Sequence, residues 1–456
     1  MSRRTRDVVS VIPSYEAVDL RQAIVAFLPR SGLGLFDGDG KVRWVGRMLA
    51  ATAILVSLEA AAAITDRFEA ARAAVAAMWP TRRRPGKGYS GFMRALACHT
   101  PSLLAALLPQ LRRRVRSLAG QGGGGGCWTV GRWAVFGVDG SRVECPMTAA
   151  NEQAFGIAGK KKTGPQQFLT TIFHVATGLI WDYRRGDARA SERGHLGQML
   201  GTLPPGTLLV ADAGFTGYDL FRQITSGGRS LLIRVGSNVH LLRRLKWEYR
   251  CAGDQVYLWP DRAQKRELPP LTLRLITVQD GNRKMHLLTD VLDDTLLSDA
   301  QAQAIYAKRW GIELIYRSLK QTIGRRRLRC AAPQNAAAEL DWAVVGLWVL
   351  GLMSVSRIVA AGHAPGEWSV ASSLRVVRRH ARLAAARHPR RRRREPSLAE
   401  ALADARLDGH RRTRSKQSRH CPRKKRGKPP GDPKARNATP AENKLAKRLR
   451  LQCAQN

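Results

Sequence analysis

The stretch GTLLVADAGFTGYDLFRQITSGGRSLLIRVGSN (206–238) reads as a strand, a helix and a second strand in direct succession. TLLVAD is an unbroken apolar run closed by Asp212, as expected of a strand buried on both faces. TGYDLFRQITSGG carries helical spacing and stops at a Gly pair, and SLLIRVGSN resumes the strand texture. Upstream, RWAVFGVDGSRVEC (132–145) reads as a strand ending at Asp139, a Gly-Ser turn and a second strand. FLTTIFHVATGLIWDYRRG (168–186) reads as a hairpin around Thr177–Gly178, and SERGHLGQMLGTL as a helix. The succession specifies a mixed α/β sheet domain.

Working outward, residues 1–120 have helical character. They include the Ala- and Leu-rich run 47–78 and SLLAALLPQLRRRVRSLAG, which is expected to bend or break at Pro109. The Gly run within 121–129 marks a linker. The core would occupy 130–238. A β-rich insertion without a helix of its own follows over 239–297, and a second core part spans 298–365. The region 366–456 reads as a basic tail. From 371 onward it carries 27 Lys and Arg against 6 Asp and Glu, half of the chain's net charge of +42. Such composition predicts disorder. A charge of that size over 456 residues favours a polyanionic partner. The longest apolar run, Trp342 to Val355, falls short of a membrane span, and the N-terminus lacks the apolar stretch of a signal peptide. Seven cysteines without a CxxC pair suggest a reducing cytoplasm.

In so basic a chain the carboxylates at the ends of apolar strands, Asp139 and Asp212, stand out, because burial there is unfavourable unless a positive group meets them. A turn Asp bonded to backbone N–H groups is the simpler account of each alone. A third candidate lies in YAKRWGIELIYRSLK (306–320). Read as one helix, it places Tyr306, Arg309, Glu313, Arg317 and Lys320 within an arc of roughly 80°, beside an apolar stripe of Ile305, Ile312, Ile315 and Leu319. Three converging carboxylates repel, and divalent ions with oxygen ligands resolve that repulsion.

The spacing Tyr306-x2-Arg309-x3-Glu313-x6-Lys320 resembles the Y-R-E-K signature of DDE transposases of the insertion sequence 4 family, with GVDGS and ADAGF around the two aspartates. The resemblance covers about 130–355. It implies a ribonuclease H-like core with Asp139 on the first strand, Asp212 on the fourth and Glu313 on the following helix. It further implies that the three residues are catalytic and hold two Mg2+ ions, Mn2+ being a substitute. Arg309 and Lys320 would contact phosphates, and Tyr306 would brace the DNA backbone. Trp310 would stack near an extruded base, and Arg317 would add a phosphate contact. The implied activity is cut-and-paste transposition of an insertion sequence through strand cleavage and transfer, on the element's terminal inverted repeats and target DNA. The enzyme would act as a homodimer in the synaptic complex, in the cytoplasm at the nucleoid, with no membrane and no nucleotide cofactor. The alternative is an inactive, transposase-derived DNA-binding protein. Lys160, Lys161 and Lys162, and Arg325, Arg326 and Arg327, could grip backbone phosphates or lie in solvated loops. His174, His195 and His286 lack metal-like spacing and read as structural.

Overall fold

The computed structural model describes residues 15–29, 44–80, 85–120, 128–158, 164–247, 254–280, 283–386, 396–407 and 431–455. The lysine run 160–162, most of the Gly-rich linker and the arginine run 390–394 lie outside them.

Four helices come first: α1 (Tyr15–Val25), α2 (Gly46–Leu58), α3 (Ile64–Met78) and α4 (Tyr89–Gly120). Then follow β1 (Ala134–Glu144), α5 (Ala149–Phe155), β2 (Gln166–His174), β3 (Leu179–Gly186), α6 (Glu192–Met199), β4 (Thr207–Ala211), α7 (Tyr218–Ser226) and β5 (Ser230–Val235). The next segment holds β6 (His240–Arg243), β7 (Gln255–Leu258), α8 (Asp261–Lys265), β8 (Leu271–Asp280) and β9 (Arg283–Thr289). Helices α9 (Asp299–Lys308), α10 (Gly311–Arg317), α11 (Pro333–Ala360), α12 (Val370–Ala385) and α13 (Leu398–Ala403) follow, then β10 (Lys434–Asn437) and α14 (Pro440–Gln455).

Among the described residues the strands make one ten-stranded sheet in the order β10-β6-β7-β8-β9-β5-β4-β1-β2-β3. Its β3-β2-β1-β4-β5 half is the ribonuclease H-like core: β1 runs antiparallel to β2 and parallel to β4, and β4 runs parallel to β5. Alternation along β4 sends Leu208 and Val210 to one apolar cluster with Ile305 and Tyr306, and Leu209 and Ala211 to another. Both faces of the strand are therefore covered, which explains its unbroken apolar run.

Several expectations need correction. The Gly140–Ser141 pair makes no turn; β1 runs straight through it, paired as Gly140 to Thr170 and Ser141 to Leu169. Helix α4 continues through both Pro101 and Pro109. The insertion contains a short helix, α8, and its strands extend the core sheet through β9 on β5. The expected disorder does not hold for the described residues of the tail, from which α12, α13, β10 and α14 are built. Helix α12 buries Leu374, Val377, Ala381 and Ala384 and turns Arg375, Arg379 and Arg382 outward, so a charge count conceals an amphipathic helix. Helix α11 is buried along most of its length and forms the spine on which α2, α4 and α13 pack.

Candidate active site

The register of β1 on β4 matches Val135 with Leu208 and Gly137 with Val210. Continued by two residues, it brings Asp139 alongside Asp212, and the two-residue period of a strand turns both side chains to the same face. Asp139 lies within β1, whereas Asp212 stands one residue past β4 and caps a 3-10 turn, Ala213–Phe215. Each aspartate is tied back through one oxygen. Gly140 N–H donates to Asp139 Oδ1 at 2.8 Å, and Gly214 N–H donates to Asp212 Oδ1 at 2.9 Å.

The segment 306–320 crosses the same face, but not as one regular helix. Between α9 and α10 the backbone tightens to i→i−3 bonds: Arg309 N–H to Tyr306 O, Ile312 N–H to Arg309 O and Glu313 N–H to Trp310 O. It then widens into a π turn over Ser318–Thr322. Dihedrals at Arg309 and Trp310 stay right-handed helical, so periodicity gave no warning of the change in winding. Gly311 permits close approach, since a Cβ there would stand 3.0 Å from Phe173 Cε2 on β2. Tyr316 Oη fixes α10 to the sheet by donating to Asp139 O at 2.7 Å and Leu169 O at 3.2 Å.

This geometry brings Asp212 and Glu313 within electrostatic reach of Asp139. Burial pushes the Asp139 carboxyl up to about 6, opposed by the Gly140 N–H; Asp212 and Glu313 add to the rise, while Arg309 lowers it. Arg309 Nη1 lies 4.0 Å from Asp139 Oδ2, and its guanidinium carbon sits 5.5 Å over the Tyr306 ring. Tyr306 itself is buried, so it supports Arg309 from beneath, and the expected direct brace on DNA would have to pass through Arg309. Lys320 Nζ donates to Ser141 Oγ at 2.7 Å, two residues beyond Asp139. Trp310 is exposed at the junction of α9 and α10, and Arg317 is exposed with no ion pair to Glu313. Arg325 is buried against Glu339, which takes it away from any phosphate. His174 and His195 are buried and hydrogen-bonded to threonines, consistent with structural roles.

Glu192, the first residue of α6, drew no notice in the sequence, where an acidic residue after Ser191 reads as an ordinary helix start. Its carboxylate faces both aspartate turns. Among the described residues no three His, Cys, Asp or Glu groups are gathered closely enough to form a ready-made cage for an ion. The donor set is nevertheless all oxygen, repulsive within itself and held by short turns, which suits a hard divalent cation.

Among known proteins, residues 134–348 match the family described as Transposase DDE domain. The chain is 27% identical over 248 residues to Transposase InsG for insertion sequence element IS4 of Escherichia coli (strain K12), a match covering 51% of this chain and 54% of that protein. The chain thus spans about half the length of that curated relative. The cryo-EM structure of the piggyBac transposase synaptic complex with hairpin DNA is similar over 90% of both chains, at 11% identity and a TM-score of 0.44, a likeness too loose to bear weight. The likeness to a transposase DDE domain is thus carried by residues 134–348, just under half of the chain.

Proposed function

We propose that this chain catalyses cut-and-paste transposition of an insertion sequence, cleaving DNA at the element's terminal inverted repeats and joining the freed 3′-OH to target DNA. The observation that carries the reading is the placement of Asp139 in register with Asp212 at the end of the paired strands β1 and β4, with Arg309 4.0 Å from it and Glu313 on the segment that crosses the same face. Asp139, Asp212 and Glu313 hold divalent cations, Mg2+ or Mn2+. When bound, paired cations supply Lewis acidity toward the entering and leaving oxygens of a phosphodiester.

The chain's own groups do the rest. Arg309, held on the Tyr306 ring, meets a non-bridging phosphate oxygen and orients the scissile bond. Lys320 reaches the neighbouring phosphate from its seat on Ser141. Arg317 lies one turn beyond Glu313 and tracks the strand. Trp310 offers an exposed π-face to an unstacked base. A homodimer would synapse the two ends, and the positive field of the whole molecule brings DNA to the acidic site.

The test is nicking of a duplex carrying the inverted repeats that flank the reading frame, in Mg2+, by the wild type, Asp139→Asn and Glu313→Gln. Both variants should bind the duplex within a factor of about three of wild type and lose at least about 100-fold in cutting, the scale of removing a principal electrostatic contribution. Cutting that survives both substitutions excludes the assignment. Binding without cutting by the wild type, in every divalent ion tried, favours the inactive DNA-binding alternative.

A further inference from the structure

Past Glu313 the chain leaves its helix through Gly324, whose φ of 78° suits glycine. Ile323 N–H reaches back to Ser318 O at 2.9 Å and Arg325 N–H to Leu319 O at 3.0 Å, closing the π turn that carries Lys320. Three arginines follow, and the fold gives each a different setting. Arg325 turns inward: its Nε lies 3.5 Å from Glu339 Oε1, Nη1 donates to Ile323 O at 3.3 Å and Nη2 donates to Ser57 O at 3.5 Å. Arg327 Nε lies 3.9 Å from Glu144 Oε2. Arg326 is exposed, and its side chain makes no ion pair or hydrogen bond with a described residue.

The backbone of this segment is tied to the sheet. Glu144 N–H donates to Arg326 O at 3.2 Å and Leu328 N–H to Glu144 O at 2.8 Å, a parallel bridge at the far end of β1. Strand β2 holds the other edge of β1 as far as Glu144, so the arginines join on the β4 side. Strand β4 leaves that edge at Gly137. Among the described residues no strand covers it from Val138 to Val143, and Asp139 stands within the opening. Lys320 reaches Ser141, between Asp139 and the arginines. Burial holds the Lys320 ammonium below its usual range; Glu144 opposes the drop and Arg326 adds to it. Like charges fixed beside each other are unfavourable until an anion joins them.

We infer that Arg326 is a phosphate-binding residue, holding the DNA strand that leaves Asp139 along the open edge of β1 toward the junction with α2. The inference rests on the reading of the site as a DNA-cutting centre given above. It divides the arginine run by role: Arg326 binds DNA, Arg325 braces the fold and Arg327 offsets Glu144. Five residues of strand separate Asp139 from Glu144, about 17 Å along β1, so the phosphate at Arg326 is not the one being cut. Because the backbone of Arg326 is anchored by Arg325 on one side and buried Leu328 on the other, little order is lost when its guanidinium bonds two phosphate oxygens.

The experiment measures affinity of the full chain for the inverted-repeat duplex, with single phosphates near the element end replaced in turn by uncharged methylphosphonates. Arg326→Ala should weaken binding to the unmodified duplex about 10-fold, the scale of a charge-assisted hydrogen bond. It should also lower the slope of log affinity against log salt by about 1. One methylphosphonate, away from the scissile position, should weaken wild type by a similar factor and have no further effect on Arg326→Ala, because both remove the same contact. Arg326→Lys, which keeps the charge, should recover part of the affinity. The melting temperature of Arg326→Ala should match that of wild type, whereas Arg325→Ala, which leaves Glu339 buried without its partner, should melt lower. If every methylphosphonate acts on Arg326→Ala as it does on wild type, Arg326 meets no phosphate and the inference is overturned, even where the duplex is cut normally. If wild type neither cuts the duplex nor responds to any methylphosphonate, the DNA-cutting reading fails and takes the inference with it.

Discussion

Asp139 carries a stability signature that can be read without any DNA. Its carboxyl is raised to about 6, largely by burial, whereas in the unfolded chain it titrates near the ordinary aspartate value of about 4. The folded form disfavours the charged state, so this residue contributes no penalty below about pH 4. Stability is then lost as pH rises through about 6. Two units correspond to at most about 2.7 kcal/mol in the absence of cation. Asp139→Asn should therefore raise the metal-free melting temperature at pH 7.5 and leave it nearly unchanged at pH 4. Asp290 is also raised to about 6 by burial, and it contributes equally to both proteins, so the difference between wild type and variant isolates Asp139. A variant less stable than wild type at pH 7.5 would mean that Asp139 is satisfied within the fold. At this scale the sequence was informative for the two aspartates, because a charge ending an apolar strand is visible in one dimension. It was silent on Glu192, which meets the two aspartates only where α6 folds against them.

The elements that carry the site owe their closeness to two absent side chains on either side of one ring. A Cβ on Gly137 would lie 2.1 Å from Phe173 Cε1, and one on Gly311 would lie 3.0 Å from the opposite edge at Cε2. Phe173 is thus clamped between β1 and the start of α10, so a methyl added at 137 must drive the ring toward α10. Gly137→Ala should lower stability by about 1–3 kcal/mol, the range for overfilling a packed core, and it should reduce cutting more than DNA binding, because α10 bears Glu313. Phe173→Leu in the same chain should restore part of both, read by denaturant midpoint and nicking rate. An equally stable, fully active Gly137→Ala would show that the sheet absorbs the methyl without moving α10. Strands were legible here because alternation and apolar runs survive in the sequence. The straight passage of β1 through Gly140–Ser141 was not, since turn residues were overruled by pairing with β2. Nor was the tightening at Arg309, because 3-10 and α windings use the same residues and nearly the same dihedrals.

Across the whole molecule, the basic C-terminal region divides into a part that completes the fold and a part that supplies charge. Helices α12 and α13 pack on α1, α3 and α11, bury Leu374, Val377, Leu398 and Leu402, and anchor Arg378 Nε to Leu58 O at 2.6 Å. Residues 408–456 hold sixteen Lys and Arg against three acidic residues. Within them β10 covers the edge of β6, and α14 is held by the Arg436–Glu442 pair at 2.7 Å. Composition merges these parts into one tail, whereas burial separates them, so the two truncations should behave differently. A chain ending at 369 loses a face of its helical core and should show no cooperative melting transition. A chain ending at 407 keeps that core, should melt cooperatively at a lower temperature, and should self-associate more readily through the uncovered edge of β6. Its DNA affinity should fall at low salt, with a shallower dependence on salt concentration because fewer phosphates are neutralised. Its nicking at saturating DNA should persist, since Asp139, Asp212 and Glu313 are untouched. If the chain ending at 369 melts as cooperatively as the full chain, α12 and α13 are appendages; if the chain ending at 407 keeps the full salt dependence, the DNA path runs over the helical and sheet core alone.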